Sequence, residues 1–139
     1  MTPHLHQIRV YWEDTDAGGI VYHSNYLNFA ERARTEMVRE LGLKQSELAR
    51  QGFAFAVRRA NIDFLRSAKL DDLLEVESVP VALGGASLDI RQIIRRLDDR
   101  VELVRVDVKL AFISLDGRPA RIPVDLKNSL QAYVSERRV

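Results

Sequence analysis

Residues 5–12 (LHQIRVYW) alternate, with Ile8, Val10 and Trp12 on one face and Arg9 and Tyr11 on the other, which is the period of a half-buried strand. At Tyr26 the period lengthens. Tyr26, Ala30, Ala33, Met37 and Leu41 recur every three or four residues, Ser24 or Asn25 can serve as N-cap, and Gly42 can stop the helix. The small Ala30 and Ala33, with Phe29 nearby, let a sheet approach this helix closely. A shorter helical turn is predicted over residues 44–51, ended by Gly52.

Four strand-like runs follow. Residues 53–66 favour burial of odd positions at first (Phe53, Phe55, Val57) and of even positions later (Ala60, Ile62, Phe64), which predicts a bulge near Arg58. Runs 73–83 and 87–97 are joined by Gly84-Gly85-Ala86, and Asp98-Asp99-Arg100 leads into 101–115. These connections are too short for crossover helices, so the sheet is expected to be antiparallel. In the last run Val104, Val106, Val108, Leu110 and Phe112 alternate with Arg105, Asp107 and Lys109, giving one core face and one that is wet or shared. Its length marks it as a sheet edge in need of cover. Asp116-Gly117-Arg118-Pro119 forms a turn, and Pro123 suits the first position of a closing helix carrying Leu126, Leu130 and Tyr133. The result is an α+β layout: a long antiparallel sheet of about five strands, one central helix and a C-terminal helix.

The chain has 139 residues, enough for one domain over residues 1–139, and 46% hydrophobic with 29% charged residues is an ordinary globular mix. Lys plus Arg (21) nearly balance Asp plus Glu (20), so nothing argues for nucleic-acid binding, and any anionic ligand needs a local basic patch. The absence of cysteine excludes disulfides, thiolate metal sites and a cysteine nucleophile, and it fits a reducing compartment. No leader and no apolar run of ~18 residues stand out, so a cytoplasmic protein without a membrane span is expected.

Candidate chemistry concentrates in "EDTDAGGIVYHSNY", residues 13–26. Asp14-Thr15-Asp16 after a strand could be the nucleophile motif of a haloacid-dehalogenase-type phosphatase, but that needs a parallel α/β sheet. Glu13, Asp14, Asp16 and His23 could hold a metal, yet their spacing fits neither a calcium loop nor HExxH zinc chemistry. The third reading uses the helix start. Gly18-Gly19 lets the backbone turn, and the helix beginning near residues 23–25 aims unpaired N–H groups back toward Asp16. Such an end can polarise a carbonyl, while a nearby carboxylate attacks its carbon or deprotonates a water.

The run "VYWEDTDAGGIVYHSNYLNFAERARTEMVRELG", and more weakly "RRANIDFLRSAKLDDLLEVES", resembles the Tol-Pal-associated acyl-CoA thioesterases of the YbgC type, in the 4-hydroxybenzoyl-CoA thioesterase branch of the hotdog superfamily. The resemblance implies a hotdog fold and a homo-oligomer, dimer or tetramer, with active sites at the dimer interface. It implies acyl-CoA as substrate; no cofactor is expected, and no metal, because no set of three or four ligands has metal spacing. By motif, Asp16 stands at the catalytic aspartate, His23 at the histidine of this type, and the His23 backbone N–H at the group that polarises the thioester carbonyl. Tyr22 and Trp12 are expected to contact the substrate, with Tyr22 lining the pocket. Trp12 stands where some relatives have a tyrosine, and an indole donates but cannot act as a phenolic acid.

Asp14 and Glu13 are expected to be structural. Glu31 either lines the acyl pocket or pairs with Arg32 or Arg34 of a neighbouring chain. Arg58, Arg59, Arg66, Lys69, Arg91, Arg95 and Arg96 are candidates for the CoA phosphates, with Lys69 first, and Phe53 and Phe55 either bound the acyl chain or are plain core. The competing function is a non-catalytic hotdog protein that binds acyl carrier protein or envelope and phospholipid-biogenesis partners.

Overall fold

A computed structural model describes residues 3–137, with side chains through residue 132. Five strands, β1 (His4–Arg9), β2 (Phe53–Phe64), β3 (Leu73–Leu83), β4 (Ser87–Arg96) and β5 (Glu102–Ser114), form one antiparallel sheet in the order β1-β3-β4-β5-β2. Three helices accompany it: α1 (Asn25–Glu40), α2 (Gln45–Arg50) and α3 (Val124–Arg137).

The stripe read from the sequence is the packed face of α1. Tyr26, Ala30, Ala33 and Met37 are buried and Leu41 is half-buried. Tyr26, Ala33 and Met37 share one core with Leu88 and Ile90 of β4 and Val104, Val106, Val108, Leu110 and Phe112 of β5, and Leu41 packs against it. The opposite face of the sheet carries charge that pairs across strands: Arg91 faces Asp107, Asp89 faces Lys109, and Arg95 faces Glu75, with ion-pair distances of 3.1, 3.5 and 3.3 Å. Leu126 and Leu130 of α3 are buried, whereas Tyr133 lies outside the residues whose side chains are described.

Three expectations are corrected. Trp12 does not continue the buried face of β1: the chain leaves the strand at Arg9 and winds into a 3-10 turn at Trp12–Asp14, which leaves Trp12 76% exposed. The long β5 is not an edge, because β4 and β2 flank it on both sides; the sheet ends on β1 and β2. Ser24 stands at the N-cap of α1 in an αR conformation, and its side chain makes no capping bond.

The bulge near Arg58 is present as a register shift between Val57 and Arg59. As an edge strand, however, β2 buries its apolar positions only in part, and Val57 and Phe64 are each more than half exposed. Among the described residues no helix is long and apolar enough to cross a membrane.

Candidate active site

The two aspartates of the opening motif sit in different environments. Asp14 is buried at the end of the 3-10 turn, where Oδ2 accepts the Tyr11 N–H at 2.9 Å and Oδ1 accepts the Asn25 side-chain amide at 2.7 Å. Both oxygens are thereby committed to holding the strand end against the helix start. Glu13 beside it is exposed.

Asp16 is exposed and opens a tight hairpin: its N–H donates to the Ile20 carbonyl at 2.9 Å, and its own carbonyl accepts from the Gly19 N–H at 3.1 Å. Its Oδ1 accepts the Gly18 N–H at 2.8 Å, an Asx-type turn that orients the carboxylate and leaves Oδ2 without a protein donor among the described residues. Gly19 supplies the left-handed backbone (φ +79°) that closes the hairpin.

The returning limb runs directly into α1. Thr15 pairs with Val21, and the Tyr22 N–H donates to the Asp14 carbonyl at 2.9 Å, so Asp16 and the helix start belong to one hydrogen-bonded unit. Asn25 then bonds back to the Tyr22 carbonyl at 2.8 Å. Among the described residues the N–H groups of His23 and Ser24 donate to no protein acceptor, which leaves them available at the positive end of a sixteen-residue helix. The exposed His23 ring lies 4.5 Å from the Tyr22 ring and 6.3 Å, edge-on, from Phe64 of β2.

The second block of resemblance folds against the first. Ile20 pairs with Lys69, and the Val21 N–H donates to the Ala68 carbonyl at 2.9 Å. The buried Tyr26 hydroxyl accepts the Ala68 N–H at 2.9 Å, and burial raises this phenol above its usual range, so it stays neutral. Asp16, Tyr22, His23 and Lys69 are therefore carried by segments bonded to one another. Trp12 lies apart, lining a shallow hollow with Tyr11, Glu13, Leu70 and Asp71 that does not include Asp16 or His23.

Pairing thins the list of basic candidates. Arg91, Arg95 and Arg96 are engaged by Asp107, by Glu75 and Glu77, and by Asp72 and Asp99. Among the described residues Arg58, Arg59, Arg66 and Lys69 form no ion pair, and all four are exposed. Phe55 lies 5.1 Å and Phe53 5.5 Å from the Phe112 ring, and Phe55 also lines a cavity beneath α1. Among the described residues no cluster of three or more His, Asp or Glu side chains has metal-binding geometry.

Sequence reasoning missed the Asn25 and Tyr26 ties, and it missed that Arg34 is buried within its own chain. Arg34 lies four residues after Ala30, at the flank of the helix stripe, and that spacing was the available signal.

Comparison with known proteins agrees with this architecture. The family model of the thioesterase-like superfamily matches residues 10–130. "Acyl-CoA thioesterase YbgC" of Haemophilus influenzae is 43% identical over 122 residues, covering 86% of this chain and 88% of that protein. "Acyl-CoA thioester hydrolase YbgC" of Escherichia coli O6:H1 is 47% identical over 81 residues, covering 58% and 60%. The crystal structure of a probable thioesterase from Bartonella henselae superposes with a TM-score of 0.82 at 38% identity, over 87% of this chain and 99% of that one. A sheet packed on one long central helix, a family match spanning most of the chain and a relative this similar along nearly its whole length lead to one conclusion: the chain belongs to the hotdog-fold thioesterase-like superfamily, among the YbgC-type thioesterases.

Proposed function

We propose that this protein hydrolyses acyl-CoA thioesters to the free acid and CoA, with Asp16 as the reacting carboxylate and the His23 N–H as the group that polarises the thioester carbonyl. One observation carries the reading: an exposed, oriented carboxylate and an unpaired helix-start N–H are held in the same hydrogen-bonded hairpin. The names borne by the relatives support the substrate class.

Two routes use these groups. In the general-base route Asp16 takes a proton from water as the water oxygen bonds to the thioester carbon. The oxyanion, held by the N–H, then collapses, the C–S bond breaks, and the departing thiolate takes the proton back. In the nucleophilic route an Asp16 oxygen bonds to the carbon, the same C–S bond breaks, and water opens the mixed anhydride. The His23 imidazole assists at the mouth of the site, and Tyr22 lines it.

Lys69 meets the CoA phosphates. It is exposed and unpaired among the described residues, and its backbone is bonded to the limb that leads from Asp16 to α1. The protein works as a homo-oligomer joined through β2, a twelve-residue edge strand with Val57 and Phe64 more than half exposed.

The test is thiol release from a panel of short, long and aromatic acyl-CoA esters. Turnover of at least one ester well above its spontaneous hydrolysis is expected. Release no faster than the background on every ester would favour the non-catalytic binding protein instead.

A further inference from the structure

His23 and Ser24, whose N–H groups stay free among the described residues, are bracketed by bonds that lead to Asp14. Ahead of them the Tyr22 N–H donates to the Asp14 carbonyl at 2.9 Å. Behind them the Asn25 side-chain amide donates to Asp14 Oδ1 at 2.7 Å, and the Asn25 N–H closes the ring on the Tyr22 carbonyl at 2.8 Å. The His23-Ser24 step is therefore a short loop fastened at both ends to one buried residue. Asp14 also leads directly to the carboxylate proposed to react, since Thr15, between Asp14 and Asp16, pairs with Val21.

Within this ring the Asn25 side chain has no substitute. A helix start is ordinarily fastened by a side-chain oxygen that accepts an N–H two or three residues further on. Ser24 makes no such bond. Asn25 instead reaches away from the helix to the strand end, and among the described residues Asp14 Oδ1 accepts from no other donor. Its amide is also held the right way round: Nδ2 of the exposed Asn28 donates to Asn25 Oδ1 at 3.0 Å, which leaves Asn25 Nδ2 to face the carboxylate. A donor aimed at an ionised carboxylate makes a charge-assisted bond, stronger than one between neutral groups. Loss of the carboxamide would leave both backbone bonds at Tyr22 in place, so the hairpin would persist while the helix start gained freedom to turn about it.

We propose that Asn25 is a positioning residue for the hydrolysis: its bond to Asp14 fixes where the His23 N–H stands relative to the Asp16 carboxylate. The inference rests on the roles proposed above for Asp16 and His23. Asn25 touches no reacting atom and acts through Asp14. A donor polarises a carbonyl only when aimed at the place where the oxyanion forms, and a misplacement of about 1 Å can cost on the order of 10²-fold in rate. Contacts to the rest of the substrate do not depend on that aim, so the chemical step should suffer while affinity holds.

The experiment measures kcat, KM and thermal midpoint on the best CoA ester, with direct binding of a non-hydrolysable thioether analogue. Asn25→Ala should lower kcat by roughly tenfold to a hundredfold, with KM and analogue binding within a few-fold. The double substitution Asp14→Asn with Asn25→Asp reverses the polarity of the pair: the amide at residue 14 accepts the Tyr11 N–H and donates to the carboxylate at residue 25, whose other oxygen accepts from Asn28. A carboxylate in the first turn also suits the positive end of the helix. This swap should recover most of the lost kcat, whereas Asn25→Asp alone, which sets two carboxylates against each other, should not. Asn25→Ala with kcat close to wild type, or a folded swap no faster than Asn25→Asp, would overturn the proposal. A lower thermal midpoint with unchanged kcat would do the same, because it marks a residue that serves stability alone. Should Asn25→Ala fail to fold, the swap decides: near-wild-type kcat supports the proposal, a folded but slow protein overturns it, and an unfolded one assigns Asn25 to stability and overturns it too. Asp16→Asn, run in parallel, separates the two readings. If it stays active, the role of Asp16 fails; if it is inactive while Asn25→Ala is unimpaired, only the role of Asn25 fails.

Discussion

Asp14 and Asp16 differ by two positions and by everything that surrounds them. The first is buried with both oxygens bonded, and the second is exposed with one oxygen holding a glycine N–H and the other open. A carboxylate whose lone pairs are all in service fixes geometry. One that is oriented but only half engaged can take up a proton or attack a carbon. The lesson is that the anchor and the carboxylate we propose as reagent come from a single short motif, and that the anchor ties the strand end to the helix start beside it.

The sharpest way to break this contrast is Asp16→Asn, which keeps shape and removes basicity. Turnover should fall by ~10²–10⁴-fold, with the thermal midpoint unchanged and binding of a non-hydrolysable analogue within a few-fold. Steady-state kinetics and calorimetry check it, and retention of more than a tenth of the activity would unseat Asp16. Asp14→Ala should behave in the opposite sense. It strands the Tyr11 N–H and the Asn25 amide, so stability should drop by roughly 1–3 kcal/mol in denaturant titration, with activity falling as the helix start loosens. His23→Ala should cost well under ~10²-fold in turnover, the low end for acid–base help, because its backbone N–H remains. A loss as large as that of Asp16→Asn would make the imidazole an equal partner. The smallest effect is expected from exhaustive chelation, which should leave the rate unchanged, since a metal shared by both aspartates would have to displace the bonds to Asp14. Loss of activity restored by one divalent ion would erase the distinction between the two.

Much of this organisation is written in local pattern. The 3.6-residue stripe of α1, the alternation of β5 and the change of phase around Arg58 each depend on neighbours in the chain, and each is found where periodicity puts it. What periodicity does not encode is which strand lies beside which. Val104 to Phe112 has the length of an edge, yet its position between β4 and β2 follows from pairing across the sheet. Trp12 extends the alternation of β1, but the bond from Asp14 to the Tyr11 N–H bends the backbone just there and turns the indole outward. The nearness of Asp16 and His23 in the chain was legible because one short hydrogen-bonded segment carries both. The Arg34–Gln92–Ser78 group was not, because it joins a helix to two strands more than forty residues away.

Gly18 and Gly19 also make different demands on mutation. A methyl group on Gly18 would stand 3.3 Å from the Asp16 carboxylate and meet nothing else, whereas at Gly19 there is open space but a backbone angle that other residues rarely adopt. A library screened only for folded protein should therefore admit small side chains at residue 18 and resist them at residue 19. A library screened for catalysis should close both positions. The two neighbouring codons would then record separate demands: one of the chain's need to turn, the other of the room kept around the carboxylate proposed to react.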